Sequence, residues 1–395
     1  MFIMIKSKGL SNASTKDFLS LVREVYGSEF IPLHRPIFSN EEKTRVSEVI
    51  DSNFVSSAGR EITVFEKEIA SFVGSSYGIA TVNGTAALHI ALKLAGVDFG
   101  TEVLTQSVSF VATANAIKYC GGKPVFIDVD RDSLGLSPTA LRAFFETNVR
   151  SQNGQTVNIN TGARISACVP MHTFGHPVRI HEIERICHEF NVPVVEDCAE
   201  SLGSYVDGRH TGVSGKCGTL SFNGNKIITT GGGGMIFTDD EEFAMRAKHL
   251  TTTAKRPHPY EYFHDDLAYN YRMPNLNAAL GLAQKSKLDF FLEEKRRVAE
   301  IYCKFFNERN IRFVWEREGT NANFWFNSII LKDIKERNKF LEETNSQNVM
   351  TRPLWQPLHQ LPMYKDCQTD LLENTIWLAD RLVNIPSSVP DLKEL

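Results

Sequence analysis

The chain has 395 residues, of which 42% are hydrophobic and 23% are charged, so a large domain and a smaller one can each bury a core. The net charge of −4 and the absence of a basic tract argue against nucleic acid or a membrane surface as the main partner. No apolar run is long enough to span a membrane and no signal peptide is recognisable, so we expect a cytoplasmic protein. The seven cysteines include no Cys-x-x-Cys pair and are expected to be free thiols.

Residues 1–30 are predicted to form a helical N-terminal extension. Asn12 or Ser14 is a suitable cap for a helix whose apolar face includes Phe18, Val22 and Val25. This extension would precede a large domain at residues 31–285.

The large domain alternates short apolar runs with helical spacing. One helix is predicted to begin at Gly84 and end at Gly96, and another to cover His181–Phe190. The predicted strands are Ile79–Val82, Glu102–Thr105, Val125–Val129, Ile165–Val169, Val192–Val195 and Thr219–Phe222. Apolar strands between helices are typical of a mostly parallel sheet that is covered on both faces.

Residues 286–395 are predicted to form a smaller α/β domain. It would begin with a long polar helix at Lys287–Phe306 and contain a strand at Phe326–Leu331. Two further helices are predicted at Ile334–Thr344 and Asp370–Val383.

Side chains that could bind a ligand or take part in catalysis follow two of the predicted strands. Asp197 follows the strand Val192–Val195, where an acid can cap a helix, bind a metal or hold a protonated heterocyclic nitrogen. Lys226 follows the strand Thr219–Phe222 in a turn of small residues that also contains Ser221. Such a lysine can bind phosphate or form a Schiff base. The P-loop pattern is not met, because Asn225 and not glycine precedes the lysine.

Gly84, Thr85 and Ala86 open a predicted helix directly after a strand. The free amides of Thr85 and Ala86, with the helix dipole, suit a phosphate dianion. Taken alone, this tripeptide is also a common way to begin a helix.

Six segments in the same order as in a known family give these features a common interpretation. The chain resembles the DegT/DnrJ/EryC1/StrS sugar aminotransferases from about Ile31 to the C-terminus, and residues 221–234 and 351–362 are most similar to their LegC-like branch. The segments are Asn83–Leu94, Val108–Asp130, Val169–Pro177, Glu196–Ser204, Gly218–Met235 and Tyr269–Gln284. The resemblance implies a fold-type I transferase that depends on pyridoxal 5′-phosphate (PLP), with a mostly parallel seven-stranded sheet between helices and a smaller C-terminal α/β domain.

The resemblance also implies roles for individual residues in cofactor binding. Lys226 would hold PLP covalently as an internal aldimine and later carry a proton, and the Asp197 carboxylate would pair with the pyridine nitrogen. The other implied PLP contacts are Gly84, Thr85, Ala86, Phe110, Glu200, Ser221 and, from a neighbouring subunit, Asn270. A homodimer with shared active sites is therefore expected.

The substrate contacts follow from the same resemblance. His172 is expected beside the cofactor and the sugar, with a catalytic role. The further expected sugar-nucleotide contacts are Asn225, Trp325, Asn327, Arg352 and His359. His172, His176 and His181 do not have the spacing of a zinc site, so no metal is expected.

The implied reaction transfers an amino group from L-glutamate to a nucleotide-linked 4-keto-6-deoxy sugar. The branch indicates UDP-4-keto-6-deoxy-N-acetylglucosamine as the acceptor. Three alternatives remain: a dTDP- or GDP-linked keto-sugar, as in perosamine synthesis; dehydration of the sugar at C3, which relatives perform with histidine in place of Lys226; and a non-catalytic PLP-fold sensor.

Overall fold

A computed structural model describes residues 12–27 and 29–390. Residues 1–11, the first part of the predicted N-terminal extension, lie outside the described residues. In chain order the helices are α1 (Asn12–Tyr26), α2 (Asn40–Asp51), α3 (Arg60–Val73), α4 (Gly84–Leu94), α5 (Val111–Tyr119), α6 (Pro138–Asn148), α7 (Ile180–Glu189), α8 (Glu241–Thr251), α9 (Asn275–Lys285), α10 (Leu288–Asn307), α11 (Ile334–Ser346) and α12 (Glu373–Ala379).

The strands are mostly short. They are β1 (Tyr77–Thr81), β2 (Glu102–Gln106), β3 (Lys123–Ile127), β4 (Val149–Gln152), β5 (Gln155–Asn158), β6 (Ile165–Val169), β7 (Val195–Asp197), β8 (Tyr205–Val206), β9 (Arg209–His210), β10 (Cys217–Ser221), β11 (Gly234–Thr238), β12 (Arg312–Phe313), β13 (Thr320–Asn321), β14 (Asn327–Ile330), β15 (Arg352–Pro353) and β16 (Leu382–Ile385).

Seven strands form the main sheet, as the resemblance implied. Their order is β3-β2-β6-β7-β10-β11-β1, in which single bridges at Cys168–Val194 and Met171–Asp197 join β6 to β7. The strand β11 runs antiparallel to both of its neighbours, and the other described pairings are parallel. Every residue of β2, β6 and β11 is buried, which is the pattern of a sheet covered on both faces. The carboxyl ends of β7 and β10 therefore meet at one edge.

A second, antiparallel sheet with the order β12-β14-β16-β15 lies in the C-terminal part of the chain. Phe18 and Val22 of α1 are buried in the same apolar cluster as Tyr302 and Phe306 of α10 and Phe340 of α11. The N-terminal helix thus completes a core whose other residues, apart from Ile31, lie between Val298 and Ile385.

Most predicted elements agree with the structure to within three residues. The prediction of one helix at Asp370–Val383 is wrong, because the helix α12 ends at Ala379 and a turn leads into the strand β16. The strand β11 was not predicted from the pattern, since its apolar residues follow four glycines directly. The domain boundaries at residues 30 and 285 stay predictions.

Candidate active site

A cavity of about 620 Å³ opens at the carboxyl ends of β7 and β10. One wall is the N-terminus of α4, another is the start of α5, and the third comes from the second sheet. The predicted site residues that line it are Gly84, Thr85, Phe110, Asp197, Glu200, Ser221, Asn225, Lys226, Trp325 and Arg352. Elements distant in sequence therefore bring most of the predicted site together.

Lys226 lies at the end of a turn that follows β10. Phe222 is fully buried against Phe65 and anchors the turn, and the Lys226 amide closes it by donating to the Asn223 carbonyl at 3.0 Å. The Lys226 side chain is 12% exposed, and its Nζ lies 3.4 Å from Glu200 Oε1. The amine therefore points into the cavity next to a buried carboxyl group.

Glu200 is buried, and its Oε2 accepts the Phe174 amide at 2.8 Å. Burial raises the pKa of this carboxyl group to about 7, although the positive charge of Lys226 acts to lower it. Both protonation states of Glu200 are accordingly accessible near neutral pH.

Asp197 is held by two neutral donors. Thr113 Oγ1 donates to Oδ2 at 2.8 Å, and the Ala199 amide donates to Oδ1 at 3.1 Å. Burial raises the pKa of Asp197, and the hydrogen bond from Thr113 partly offsets that effect. A cationic ligand group beside this carboxylate would be stabilised by charge in a site with little water.

The N-terminus of α4 and Ser221 form a small cradle. The amides of Gly84 and Thr85 have no intrahelical acceptor, because they belong to the first turn. A Cβ atom on Gly84 would lie 2.8 Å from Ser221 Cβ, so glycine permits this close approach. The prediction for Ala86 is not supported: its amide donates to Asn83 Oδ1 at 2.7 Å, and Ala86 does not line the cavity.

His172 does not lie at the cavity, contrary to expectation. Successive side chains of β7 point to opposite faces, so Asp197 faces the cavity and Glu196 faces away. His172 Nε2 lies 3.0 Å from Glu196 Oε2, and His172 Nδ1 accepts the Val178 amide at 3.2 Å. Nε2 therefore carries the proton and donates to Glu196, in a fully buried pair.

Glu196, His172 and Cys198 place ligand-type atoms within 4.8 Å of one another. Their geometry is nevertheless that of a hydrogen-bonded group. The amides of Gly212, Ser214 and Gly215 also donate to the Glu196 carboxylate. Burial alone would raise the pKa of Glu196, but the bonds from His172 and the amides outweigh it and lower the pKa. The Glu196 carboxylate and His172 Nδ1 thus already accept hydrogen bonds from within the protein.

Three further predicted residues do not line the cavity. Asn327 is buried and donates to Ser387 Oγ, and His359 Nδ1 lies 2.8 Å from Ser107 Oγ. Asn270 is exposed on a segment that bridges Thr252.

Several cavity residues were not predicted from the sequence. Thr113 supports Asp197 through its hydroxyl, and the position of this polar residue three places after Phe110 was the available signal. The other additions include Leu33, Met171, Asn223, Trp355, Gln356 and Asn384. Trp355 packs on Phe174 at 4.7 Å, and only the tertiary fold brings it here.

Comparisons with known proteins agree with this geometry. The model of the DegT/DnrJ/EryC1/StrS aminotransferase family matches residues 36–394. GDP-perosamine synthase of Escherichia coli O157:H7 is 34% identical over 91% of this chain and 94% of its own. EpsN of Bacillus subtilis, assigned as a pyridoxal phosphate-dependent aminotransferase, is 36% identical over 85% of this chain and 84% of its own.

The solved structures show the same fold. The aminotransferase TlmJ from Streptoalloteichus hindustanus superposes with a TM-score of 0.81 at 27% identity, over 91% of this chain and 93% of its own.

In the described part of this chain, no helix has the length and apolarity to cross a bilayer. The protein belongs to the DegT/DnrJ/EryC1/StrS aminotransferase family and is a PLP-dependent aminotransferase.

Proposed function

We propose that this protein transfers the amino group of L-glutamate to the keto carbon of a nucleotide-linked 4-keto-6-deoxy sugar, with Lys226 as the cofactor lysine. The observation that carries the proposal is the position of the Lys226 amine. It lies in a deep cavity, 3.4 Å from the Glu200 carboxyl group, between a buried aspartate and a helix N-terminus.

The cavity residues fit PLP. Gly84, Thr85 and Ser221 offer amides and a hydroxyl to a phosphate, as the close Gly84–Ser221 approach permits. Asp197 offers a buried carboxylate to the pyridine nitrogen, and the half-exposed Phe110 ring offers an aromatic face. When bound, PLP supplies an electron sink that makes the bond next to the transferred nitrogen labile.

The chain's own residues orient the reactants and move protons. Lys226 Nζ would carry a proton between the substrate carbon next to the transferred nitrogen and the cofactor carbon. Lys226 is assigned this role because its amine faces the cavity beside Glu200. Glu200, with a pKa of about 7, accepts or donates a proton near Lys226. Thr113 and the Ala199 amide keep Asp197 in place for the ring nitrogen. His172, buried behind the sheet, has no direct part in this scheme.

A GDP-linked keto-sugar is the acceptor that we favour over the UDP-linked one. Relatives from Escherichia coli, Vibrio cholerae and Caulobacter vibrioides at 32–34% identity are GDP-perosamine synthases. Arg352 lies at the cavity wall with an exposed guanidinium group, which suits a diphosphate. Asn225 and Gln356 line the same cavity and offer amide groups to the sugar.

We also propose a homodimer in which Asn270 of one subunit reaches the phosphate of the other. The exposed position of Asn270, away from the cavity of its own chain, supports this assignment. Sedimentation velocity on the purified protein tests it, since a monomer that is fully active would refute the shared site.

The main experiment compares absorbance spectra of the wild type, Lys226→Ala and a control, Lys216→Ala, before and after L-glutamate. The wild type and the control should show a band near roughly 410–430 nm that moves toward ~330 nm with glutamate. Lys226→Ala should not show this change. A wild-type protein that takes up no PLP would refute the proposal.

The acceptor is then identified with matched keto-sugars linked to GDP, UDP and dTDP. The protein is first converted with glutamate, freed of excess donor and mixed with each sugar. We expect the GDP sugar to restore the long-wavelength band at the lowest concentration. Preference for the UDP sugar would return the assignment to the acceptor that the LegC-like resemblance implies.

A further inference from the structure

Trp325 connects the lysine-bearing turn with the second sheet. Its indole ring lies beneath Lys226 Nζ, 3.9 Å from the ring centroid, and its Nε1 donates to the Asn225 carbonyl at 2.7 Å. One side chain therefore contacts both the head of Lys226 and the backbone of the residue before it. Trp325 is 2% exposed and stacks on Phe326 at 3.8 Å, so its orientation is fixed by packing.

The main chain of Trp325 is itself held by polar groups from two directions. Its amide donates to Asn323 Oδ1 at 2.8 Å, and its carbonyl accepts from Lys295 Nζ at 3.2 Å. Asn323 in turn donates to the carbonyls of Glu200 and Leu202, both at 2.9 Å. The Asn323 side chain thus hydrogen-bonds both the segment that carries Glu200 and the main chain of Trp325.

Lys295 is an unusual residue for this position. It lies in α10, is 1% exposed, and its Nζ donates to two carbonyls, those of Trp325 and Ser387. Burial lowers the pKa of this amine to about 7. A buried lysine is costly unless its donors are used, and here both observed bonds hold main-chain atoms next to the cavity wall.

We propose that Trp325 is a positioning residue for Lys226, and that Lys295 holds Trp325 in place through its main-chain carbonyl. The inference rests on the proposed role of Lys226 as the cofactor lysine. The indole face restricts the direction of the Lys226 side chain, while the bond to Asn225 restrains the turn. Trp325, expected from the resemblance to contact the sugar, is assigned here to the lysine.

The test uses the cofactor-free protein, so it does not depend on turnover. The first readout is the rate at which a neutral amine-reactive reagent labels Lys226, followed by peptide mass spectrometry. The second is hydrogen exchange of the peptide that spans residues 222–230. Trp325→Leu should raise the labelling rate by roughly two- to thirtyfold, the range between an exposed and a desolvated cation–π contact. Trp325→Phe keeps an aromatic face and should change labelling less.

Loss of the bond to Asn225 is common to both Trp325 variants. Each should raise hydrogen exchange in the turn by roughly two- to tenfold, the range that one net hydrogen bond represents. Trp315→Phe is the matched control, since Trp315 packs on Phe324 and does not line the cavity, and it should change neither readout.

Lys295→Met should raise both readouts, with Lys304→Met on the exposed side of the same helix as control. If Lys295 acts through Trp325, the double variant with Trp325→Leu should exceed Trp325→Leu alone by little. Lys295→Gln, which keeps a donor, replaces Lys295→Met if that protein does not fold.

If Trp325→Leu has the same Lys226 labelling rate and the same hydrogen exchange in residues 222–230 as the wild type, the proposal for Trp325 is overturned. Fully additive effects would overturn the route through Lys295. A chain that failed to bind PLP would leave both readouts intact, so failure of the proposed function remains distinguishable.

Discussion

Replacing Thr113 with valine removes one donor from a buried carboxylate at almost constant volume. Thr113 Oγ1 donates to Asp197 Oδ2 at 2.8 Å and lies 2.7 Å from Ser109 Oγ. Ser109 thus completes the hydroxyl chain by donating to Thr113. A hydrogen bond to a charged group contributes about 1.5–3 kcal/mol, so Thr113→Val should lower the free energy of unfolding by about that amount at alkaline pH.

The effect should depend on pH in a defined direction. Burial raises the folded-state pKa of Asp197 above its unfolded value, so ionisation of this group lowers stability as pH rises through that window. The lost bond favoured the ionised form, so the pKa in the variant lies higher still. Thr113→Val should therefore lower the free energy of unfolding only slightly at a pH where Asp197 is protonated in both proteins. The full loss should be seen at a pH above the pKa of Asp197 in the variant.

The assay is urea denaturation of the cofactor-free protein from pH 4.5 to 8.5, at one protein concentration. Thr105→Val is the matched control, because Thr105 is as buried as Thr113 but donates to the neutral Val169 carbonyl at 2.8 Å. Thr105→Val should lower the free energy of unfolding by about 0.5–1.5 kcal/mol at every pH.

Equal losses in both variants, or a loss in Thr113→Val that does not change with pH, would refute the argument. Either result would mean that the hydroxyl of Thr113 does not stabilise the ionised form of Asp197.

Three further substitutions test other parts of the site. Gly84→Ala places a Cβ 2.8 Å from Ser221 Cβ, and should weaken PLP binding by roughly tenfold or more in fluorescence titration, since overpacking costs about 1–3 kcal/mol. Because burial raises the pKa of Glu200 to about 7, its ionisation should lower wild-type stability as pH rises from the ordinary glutamate pKa to 7. Glu200→Gln should make this fall smaller in thermal unfolding and leave the part that Asp197 contributes. Arg352→Ala should raise KM for the nucleotide sugar roughly tenfold with little change in kcat, and an unchanged KM would remove Arg352 from the site.

The pattern of the sequence was sufficient for the parts of the fold that rest on local rules. The helix α4 begins at Gly84 and the segment ends at Gly96 in the left-handed region, as the glycines predicted. The strand β6 was predicted at its observed bounds, because a buried parallel strand is a continuous apolar run.

The errors came from information that the local pattern does not contain. His172 follows a strand end as expected, but the face of the sheet to which it points is set by its pairing with Glu196. Ala86 has a helix-start amide, yet the side chain of Asn83 already uses it. At Asp370–Val383 the apolar spacing continues from α12 into β16, and the pairing of β16 with β14 and β15 separates them.

The packing of α1 has a consequence for how the protein is made. Phe18 and Val22 leave the ribosome early, but their partners Tyr302, Phe306 and Phe340 are synthesised more than 250 residues later. At ordinary translation rates the apolar face of α1 waits on the order of tens of seconds for its core. The core around α1 can therefore close only after α11 has been synthesised, and nascent chains that end before residue 340 leave this face without its full set of partners.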